Sequence, residues 1–257
     1  MSNLLKLEMR KLSRQKSLYF CLEIMLFLIL LDAIIYKVLM NSEVDMGDIA
    51  TQLKLYNMSG IFFTLATISN ADFFLIMGII VAIIYCYDFE EQTIKNIFVK
   101  GYSKTSLYFS KVVSILCATL ILFIGSFLFS FITGTIFFGV GEGSILSMIG
   151  IIGIQLLVSF AYSLLFTLIC VLCKKFVRSI IMTIVTPLVL TLVTNLIDAI
   201  INSSSFKTFD YWMDGMVINL TSLNPGSSYV IIGIVCSLVY ITIFTLLGFI
   251  FSRKVEV

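Results

Sequence analysis

Apolar residues run along the chain in six long blocks, each parted from the next by a short polar interruption. The blocks cover about Leu18–Met40, Asp72–Tyr87, Lys111–Gly139, Ser144–Cys173, Val177–Ile201 and Tyr229–Phe251. At a rise of about 1.5 Å per residue, roughly 20 mostly apolar residues carry a helix across a bilayer core. The pattern therefore predicts an all-α, polytopic membrane protein with six transmembrane helices. The second block is short and borrows residues from Ile61 onward, whereas the third and fourth are long enough to tilt. Gly125, Gly134, Gly150 and Gly153 lie in these long blocks; small residues admit close helix contacts, but here they read as ordinary membrane composition.

Two stretches carry a different pattern. At the N-terminus, "LLKLEMRKLSRQKS" places Leu4, Leu5, Met9 and Leu12 on one helical face and Lys6, Arg10, Lys11 and Arg14 on the others. This predicts a basic amphipathic helix over residues 1–17, lying on the inner membrane surface. The long apolar run that follows has no small-residue cleavage site, so the start is not a cleavable signal. The second stretch, "DFEEQTIKNIFVKGYSKTSLYFSK", spans residues 88–111 and holds seven charged residues, while Phe73–Tyr87 before it and Val112–Gly141 after it hold none. Asp88 suits a helix cap. Ile94, Ile97 and Phe98 form an apolar stripe with Glu90, Glu91, Lys95 and Asn96 facing elsewhere, and Gly101 offers the stop. The prediction is a short two-faced helix of about eleven residues. It either docks into a cytoplasmic partner or lies on the surface as a connector. A second helix start at Ser103 or Ser106 leads into the third span.

Composition supports the membrane reading. The chain of 257 residues is 60% hydrophobic and 12% charged, against about 25% charged in soluble domains. A net charge of +2 gives no case for nucleic acid. The distribution of charge is more informative. Fourteen of the seventeen basic residues fall before the first span, in the 88–111 island, between spans four and five, or after span six. The positive-inside rule then sets an N-in, C-in topology. On the other side Glu43, Asp45, Asp48, Asp72, Glu142, Asp210 and Asp214 face only Lys54 and Lys207, with Lys37 at the edge of span one. That side is either a mildly acidic mouth or simply depleted of Lys and Arg.

Candidate chemistry is sparse. The chain has no histidine, and its six cysteines all lie within or at the ends of spans. No structural disulfide is expected. Cys170 and Cys173 form C-x-x-C without further ligands, so no metal site is expected. No phosphate-binding glycine–lysine loop or nucleophile–His device is present. The chain is read as a non-enzyme whose energy comes from a partner or a gradient. Ionisable residues inside spans are functional candidates: Glu23 and Asp198 lie near span ends, and Asp32 lies deep, one turn from Tyr36. Asp32 reads either as a proton or substrate site or as a polar contact facing the bundle. A gradient-driven carrier tends to show two matching halves, and no internal repeat is evident.

An amphipathic N-terminal helix, a long first span and then "YDFEEQTIKNIFVKGYSKTSLYFSKVV" together resemble the ABC-2 family of ATP-binding-cassette exporter permeases. In that family a segment reading roughly E-x-x-x-G-T-I-K-x-x-L-x-x-P/G-x-S-R/K-x-x-x-x-x-x-K follows the second span. Glu90 or Glu91, Thr93, Ile94, Lys95, Gly101, Ser103, Lys104 and Lys111 fill it, with Gln92 and Phe98 in place of the usual Gly and Leu. The resemblance implies one transmembrane domain over residues 1–257, with 88–111 as a cytoplasmic coupling loop. Its coupling helix meets an ABC ATPase subunit through Glu90, Glu91, Lys95, Asn96 and Phe98, beside a second loop at Cys173–Arg178. It also implies an outer, re-entrant segment at 202–228, where Phe206, Phe209, Tyr211 and Trp212 favour the interface and Asn224-Pro225-Gly226 turns the chain. The implied assembly is a permease dimer, a homodimer in preference to a heterodimer, among membrane lipids. ATP and Mg sit on the ATPase partner and no cofactor on this chain. Spans one, two and five then line the translocation route, with Asp32 and Tyr36 as its candidate residues. The implied cargo is hydrophobic or amphipathic, by similarity to Gram-positive lantibiotic-immunity and phenol-soluble-modulin peptide exporters. A drug or lipid exporter and an ATPase-independent gradient-driven carrier are the alternatives.

Overall fold

The computed structural model describes residues 2–41, 59–90, 93–141, 145–201, 207–221 and 225–253. Among these residues the chain is helical, with no strand. The helices are α1 (Ser2–Arg14), α2 (Lys16–Asn41), α3 (Gly60–Ile68), α4 (Ala71–Glu90), α5 (Thr93–Val99), α6 (Lys104–Phe138), α7 (Ile145–Cys173), α8 (Phe176–Ile201), α9 (Met213–Asn219) and α10 (Ser227–Arg253), with a 3-10 turn at Thr208–Tyr211. Six of them (α2, α4, α6, α7, α8 and α10) are long and apolar enough to cross a membrane, one for each expected block. The helix of the third span begins at Lys104, where Ser103 caps it as expected by accepting the Ser106 N–H at 3.2 Å.

Apolar residues cover every side of these helices, so hydrophobicity cannot decide which face turns inward. Lipid tails are as apolar as leucine, and helices instead meet where small residues let backbones approach. The peripheral helices follow this rule. The buried residues of α8 are Ser179 and Thr183, and those of α10 are Gly233, Ser237, Gly248 and Ser252, while most leucines and isoleucines of both are exposed and a few, such as Ile180, Leu190, Ile232 and Ile241, are partly buried against the core. The most apolar windows of α4 and α7 are 67% buried, against 6% for α8 and 11% for α10, so α4 and α7 form the centre of the bundle. α10 lies along α7, α8 packs on α4 and α7, and α6 is flanked by α1, α2 and α3.

The second span is broken. Ser59 accepts the Phe62 N–H at 3.2 Å and starts α3; the helix stops at Ile68, and α4 begins at Ala71. An interrupted helix frees backbone groups, which is tolerated at membrane depth only where protein satisfies them. Here Gln155 donates to the Leu65 carbonyl at 3.3 Å and to Ser69 Oγ at 3.0 Å, and Ser69 Oγ lies 3.3 Å from the Val217 carbonyl. The break thus sits in a polar seam between α7 and α9.

At the top of α3 the Gly60 N–H donates to the Gly139 carbonyl at 2.7 Å. A Cβ on Gly60 would lie 2.9 Å from the Thr135 nitrogen, and one on Gly134 would lie 2.9 Å from the Gly60 carbonyl. Gly134 is therefore a contact glycine and not mere composition, whereas Gly150 and Gly153 face open space. Lys37 closes the same end by donating to the Phe137 carbonyl at 2.7 Å, a cation at a helix C-terminus. Gly60→Val should lower stability by about 1–3 kcal/mol through overpacking, read as a lower midpoint of thermal unfolding in detergent. Gly150→Val should leave the midpoint unchanged.

Candidate functional site

Among the described residues the charged island is spread over the end of α4, the short helix α5 and the start of α6. Asp88 does not cap; α4 runs on through Glu90 and carries Asp88 into the bundle at 3% exposure. There it bonds Lys11 of α1 and Lys111 of α6. A carboxylate within reach of two ammonium groups is held more firmly by them than by backbone N–H groups. Lys111 is itself 1% exposed, donates to the Ile84 carbonyl at 2.9 Å and faces Glu8 Oε2 at 3.6 Å. Two acids and two bases thus meet at one buried point, which is how ions survive burial.

This cluster also corrects the face of the N-terminal helix. The buried stripe of α1 is Leu4, Glu8 and Leu12, at 1%, 3% and 4% exposure. Met9, placed on the apolar face by the sequence pattern, is exposed. Glu8 goes inward because Lys111 is there to meet it, a partner 103 positions away that helical periodicity does not reveal.

The helix expected over about eleven residues is described over Thr93–Val99, as α5; Glu91 and Gln92 lie outside the described residues. Gly101 ends it as expected, at φ 81, with its N–H on the Phe98 carbonyl at 2.9 Å. The inner side of α5 is seated: Leu4 and Leu107 form a small apolar core against which Phe89, Ile97, Phe98 and Tyr102 pack. Phe98 therefore belongs in part to this seat. The opposite side presents Lys95 and Val99, the latter 86% exposed. Asn96 lies on α5, and Glu91 falls outside the described residues. Glu90 Oε1 accepts the Phe176 N–H at 2.8 Å, where an acid suits the start of α8. One carboxylate thereby ties the island to the Cys173–Arg178 loop, which turns through Lys174 at φ 60. Val99 had gone unnoticed; its signal is a β-branched apolar residue off the Ile94–Ile97–Phe98 stripe.

A second polar region lies near the middle of α2. Asp32 is half-buried and accepts from Asn70 Nδ2 at 3.3 Å, at the break in the second span. Asp32, Thr67, Asn70, Asp72, Phe73 and Ser126 share a small cavity. Asp72, one of the acids expected to face outward, is exposed and also lines the Asp32 cavity. Tyr36 packs edge-on to Phe63, with ring centroids 6.2 Å apart.

The third region is the segment before α10. Asp198 accepts the N–H groups of Thr208 and Phe209, the latter at 2.8 Å. Trp212, Met213, Met216 and Val217 are buried. Asp214, also read as outward-facing, accepts from the hydroxyls of Tyr162 and Thr191 and from Trp212 Nε1 at 3.2 Å. Tyr162 lies past the midpoint of α7 and Thr191 past that of α8. Nothing in the linear pattern links these four side chains. Phe206 and Asn224 lie outside the described residues.

The sequence profile of the family described as ABC-2 family transporter protein matches residues 4–190. Comparison with curated proteins returns no match.

Asp214→Ala should remove the shared acceptor of three donors and cost on the order of 3 kcal/mol, measured as loss of thermal stability in detergent. Tyr162→Phe, which leaves two of the three donors in place, should cost about half as much.

Proposed function

The chain belongs to the ABC-2 family of transporters, and from that premise we propose how its three polar regions divide the work. It is a multi-pass membrane protein and the permease subunit of an ABC transporter, a role that implies an ABC ATPase partner. The proposal begins with orientation. Three of the basic clusters meet at one end of the bundle through the contacts of Lys11 and Lys111 with Asp88 and of Glu90 with Phe176, and Arg253 joins them there, over the Phe249 ring that packs on Tyr108 and Phe109. That end faces the cytoplasm, which the positive-inside rule supports.

The observation that carries the reading is α5. It is a short helix whose inner side is seated on Leu4 and Leu107 and whose outer side offers exposed Val99 beside Lys95. An apolar residue held out from a firm seat is the form of a docking contact. α5 is the coupling helix, Lys95 and Val99 meet the ATPase, Glu91 and Asn96 join the contact by the family motif, Glu90 and Phe98 hold the element in place, and ATP and Mg sit on the ATPase. The family match ends at residue 190. α10 packs along α7 and α9 sits against both, which supports one domain over the whole chain with 202–228 as a re-entrant outer segment. The largely uncovered faces of α2 and α8 support pairing with a second copy of the chain.

The cargo is an amphipathic peptide with cationic groups, a toxin or bacteriocin in character. Asp32 and Asp72 supply the carboxylates of a small cavity otherwise lined by apolar side chains, the Thr67 and Ser126 hydroxyls and the Asn70 amide. Such a cavity matches an apolar body carrying positive charge. With Tyr36 they mark the route.

Two experiments test this. Membranes carrying the wild-type chain should yield a co-purifying ATPase, and Lys95→Glu/Val99→Asp should lose it while the permease itself is still recovered; retention of the ATPase by the double variant would refute α5 as the docking helix. In inverted vesicles, Asp32→Asn should cut ATP-dependent uptake of a cationic amphipathic peptide at least tenfold and leave an uncharged analogue unaffected. Uptake of a lipid or an uncharged drug in place of either peptide would overturn the cargo assignment alone.

A further inference from the structure

We propose that Glu8, Lys11, Asp88 and Lys111 form a two-position joint that passes the movement of α5 to the membrane spans. The inference rests on α5 being the docking helix. The four are positioning residues.

Three helices build both the seat of α5 and the charge cluster, and each does so with adjoining positions. α1 supplies Leu4 to the seat and Glu8, one turn on, to the cluster. α6 supplies Leu107 to the seat and Lys111, again one turn on, to the cluster. α4 supplies Phe89 and its neighbour Asp88. Residues four apart share a helix face, so a push on the seat bears directly on the charges. With only seven residues, α5 is too short to persist as a helix by itself. Its position is set by these three helices.

Stability does not account for such a cluster. Apolar side chains of similar volume generally serve as well as a buried ion pair or better. Ions add direction: an ammonium bonds a carboxylate at defined angles, where apolar surfaces slide. They also add alternatives. Lys111 is bonded to Asp88, yet Glu8 Oε2 stands only 3.6 Å from its ammonium. Glu8 Oε1 is buried without a hydrogen-bond partner, and so is Ser114 Oγ. Both residues border one small cavity beside Lys11. Glu8 Oε2 already lies within ion-pair reach of the Lys111 ammonium and Glu8 Oε1 is a buried acceptor with spare capacity, so Glu8 is a second seat for Lys111. In the state seen here Lys111 is on Asp88. When the ATPase displaces α5, Asp88 moves with Phe89 at the end of α4, and Lys111 passes to Glu8. The bundle exchanges one neutral pairing for another without exposing a charge.

The test uses the permease–ATPase complex in lipid nanodiscs and needs no cargo. Amide hydrogen exchange is followed with and without ATP plus vanadate. In the wild type, trapping should change exchange both in α5 and around the break at residues 67–72. Glu8→Gln keeps Asp88 paired but weakens the second seat. The change in α5 should persist, while the change at the break should fall at least fivefold. If the change at the break survives in full, the joint is refuted, because a purely structural Glu8 would leave transmission intact once the complex forms. Should Glu8→Gln fail to assemble, Lys11→Gln, whose side chain is 37% exposed, replaces it under the same criteria. If the wild-type complex forms but Lys95→Glu/Val99→Asp leaves it whole, the docking reading fails and the joint fails with it. That outcome is recognised before any exchange is measured.

Discussion

An ion inside an apolar bundle must find its opposite within a few ångströms, and at the basic end of this protein that requirement decides how the helices end. Lys111 sits at 1% exposure in a helix that otherwise carries no charge for thirty residues. Removing one member of such a group strands the others, at a cost of about 3–5 kcal/mol for a buried pair. α4 is therefore prolonged past the apolar block until Asp88 reaches Lys111, and α1 is turned so that Glu8 faces inward and Lys11 closes over Asp88. Without these partners the leucines and lysines of α1 would lay it on the membrane surface, as its pattern alone suggests. With them it becomes part of the wall that holds α5.

The rest of the bundle has a different logic. Buried hydroxyls satisfy themselves on their own helices: Thr64, Thr67, Thr119, Ser126, Ser159 and Thr167 each bond a carbonyl one turn back. They present small, self-contained surfaces, so α8 and α10 can rest on Ser179, Thr183 and Ser237 while their leucines meet lipid. Cys86 joins the same seam, 3.1 Å from Ser179 Oγ. Stronger polar groups are placed only where the chain is interrupted. The break at Ser69 takes Gln155, and the short helix before α10 is pinned by Asp214.

The spans were legible because bilayer thickness imposes a length and an apolar composition that any window of sequence shows. The stop at Gly101 was legible because it depends on local backbone geometry. The island was misjudged for a physical reason: Asp88 answers Lys111 and Lys11, 23 and 77 positions away, and those pairings outweigh its local capping preference. Met9 and Glu8 exchange roles on α1 for the same reason. Asp214 is counted among outward-facing acids because charge bookkeeping sorts residues by loop, and it lies on a helix packed into the bundle, bonded to Tyr162 and Thr191. The family motif was a better guide than the helix pattern because its positions carry these distant constraints. Glu90 starts α8 and Lys111 neutralises Asp88, two contacts that no local helix pattern displays.

α4 explains why the two polar regions belong to one device. Its twenty residues span about 30 Å, and it is among the most deeply buried of the spans. At one end Asp88 and Glu90 reach α1, α6 and α8. At the other, Asn70 sits at the break and holds Asp32 on α2. A helix of this length, hydrogen-bonded throughout and packed on most sides, moves as a rod and does not bend to absorb a push. Compliance is concentrated beyond it, at Ser69 and Asn70, where the helical ladder is interrupted and the contacts are side-chain hydrogen bonds of 3.0–3.3 Å. On the proposed docking of α5, a displacement applied at the basic end emerges at this interruption, beside Asp32 and Asp72. The break and the buried ions are on that reading parts of one arrangement: rigidity where force enters, and a hinge beside the cavity.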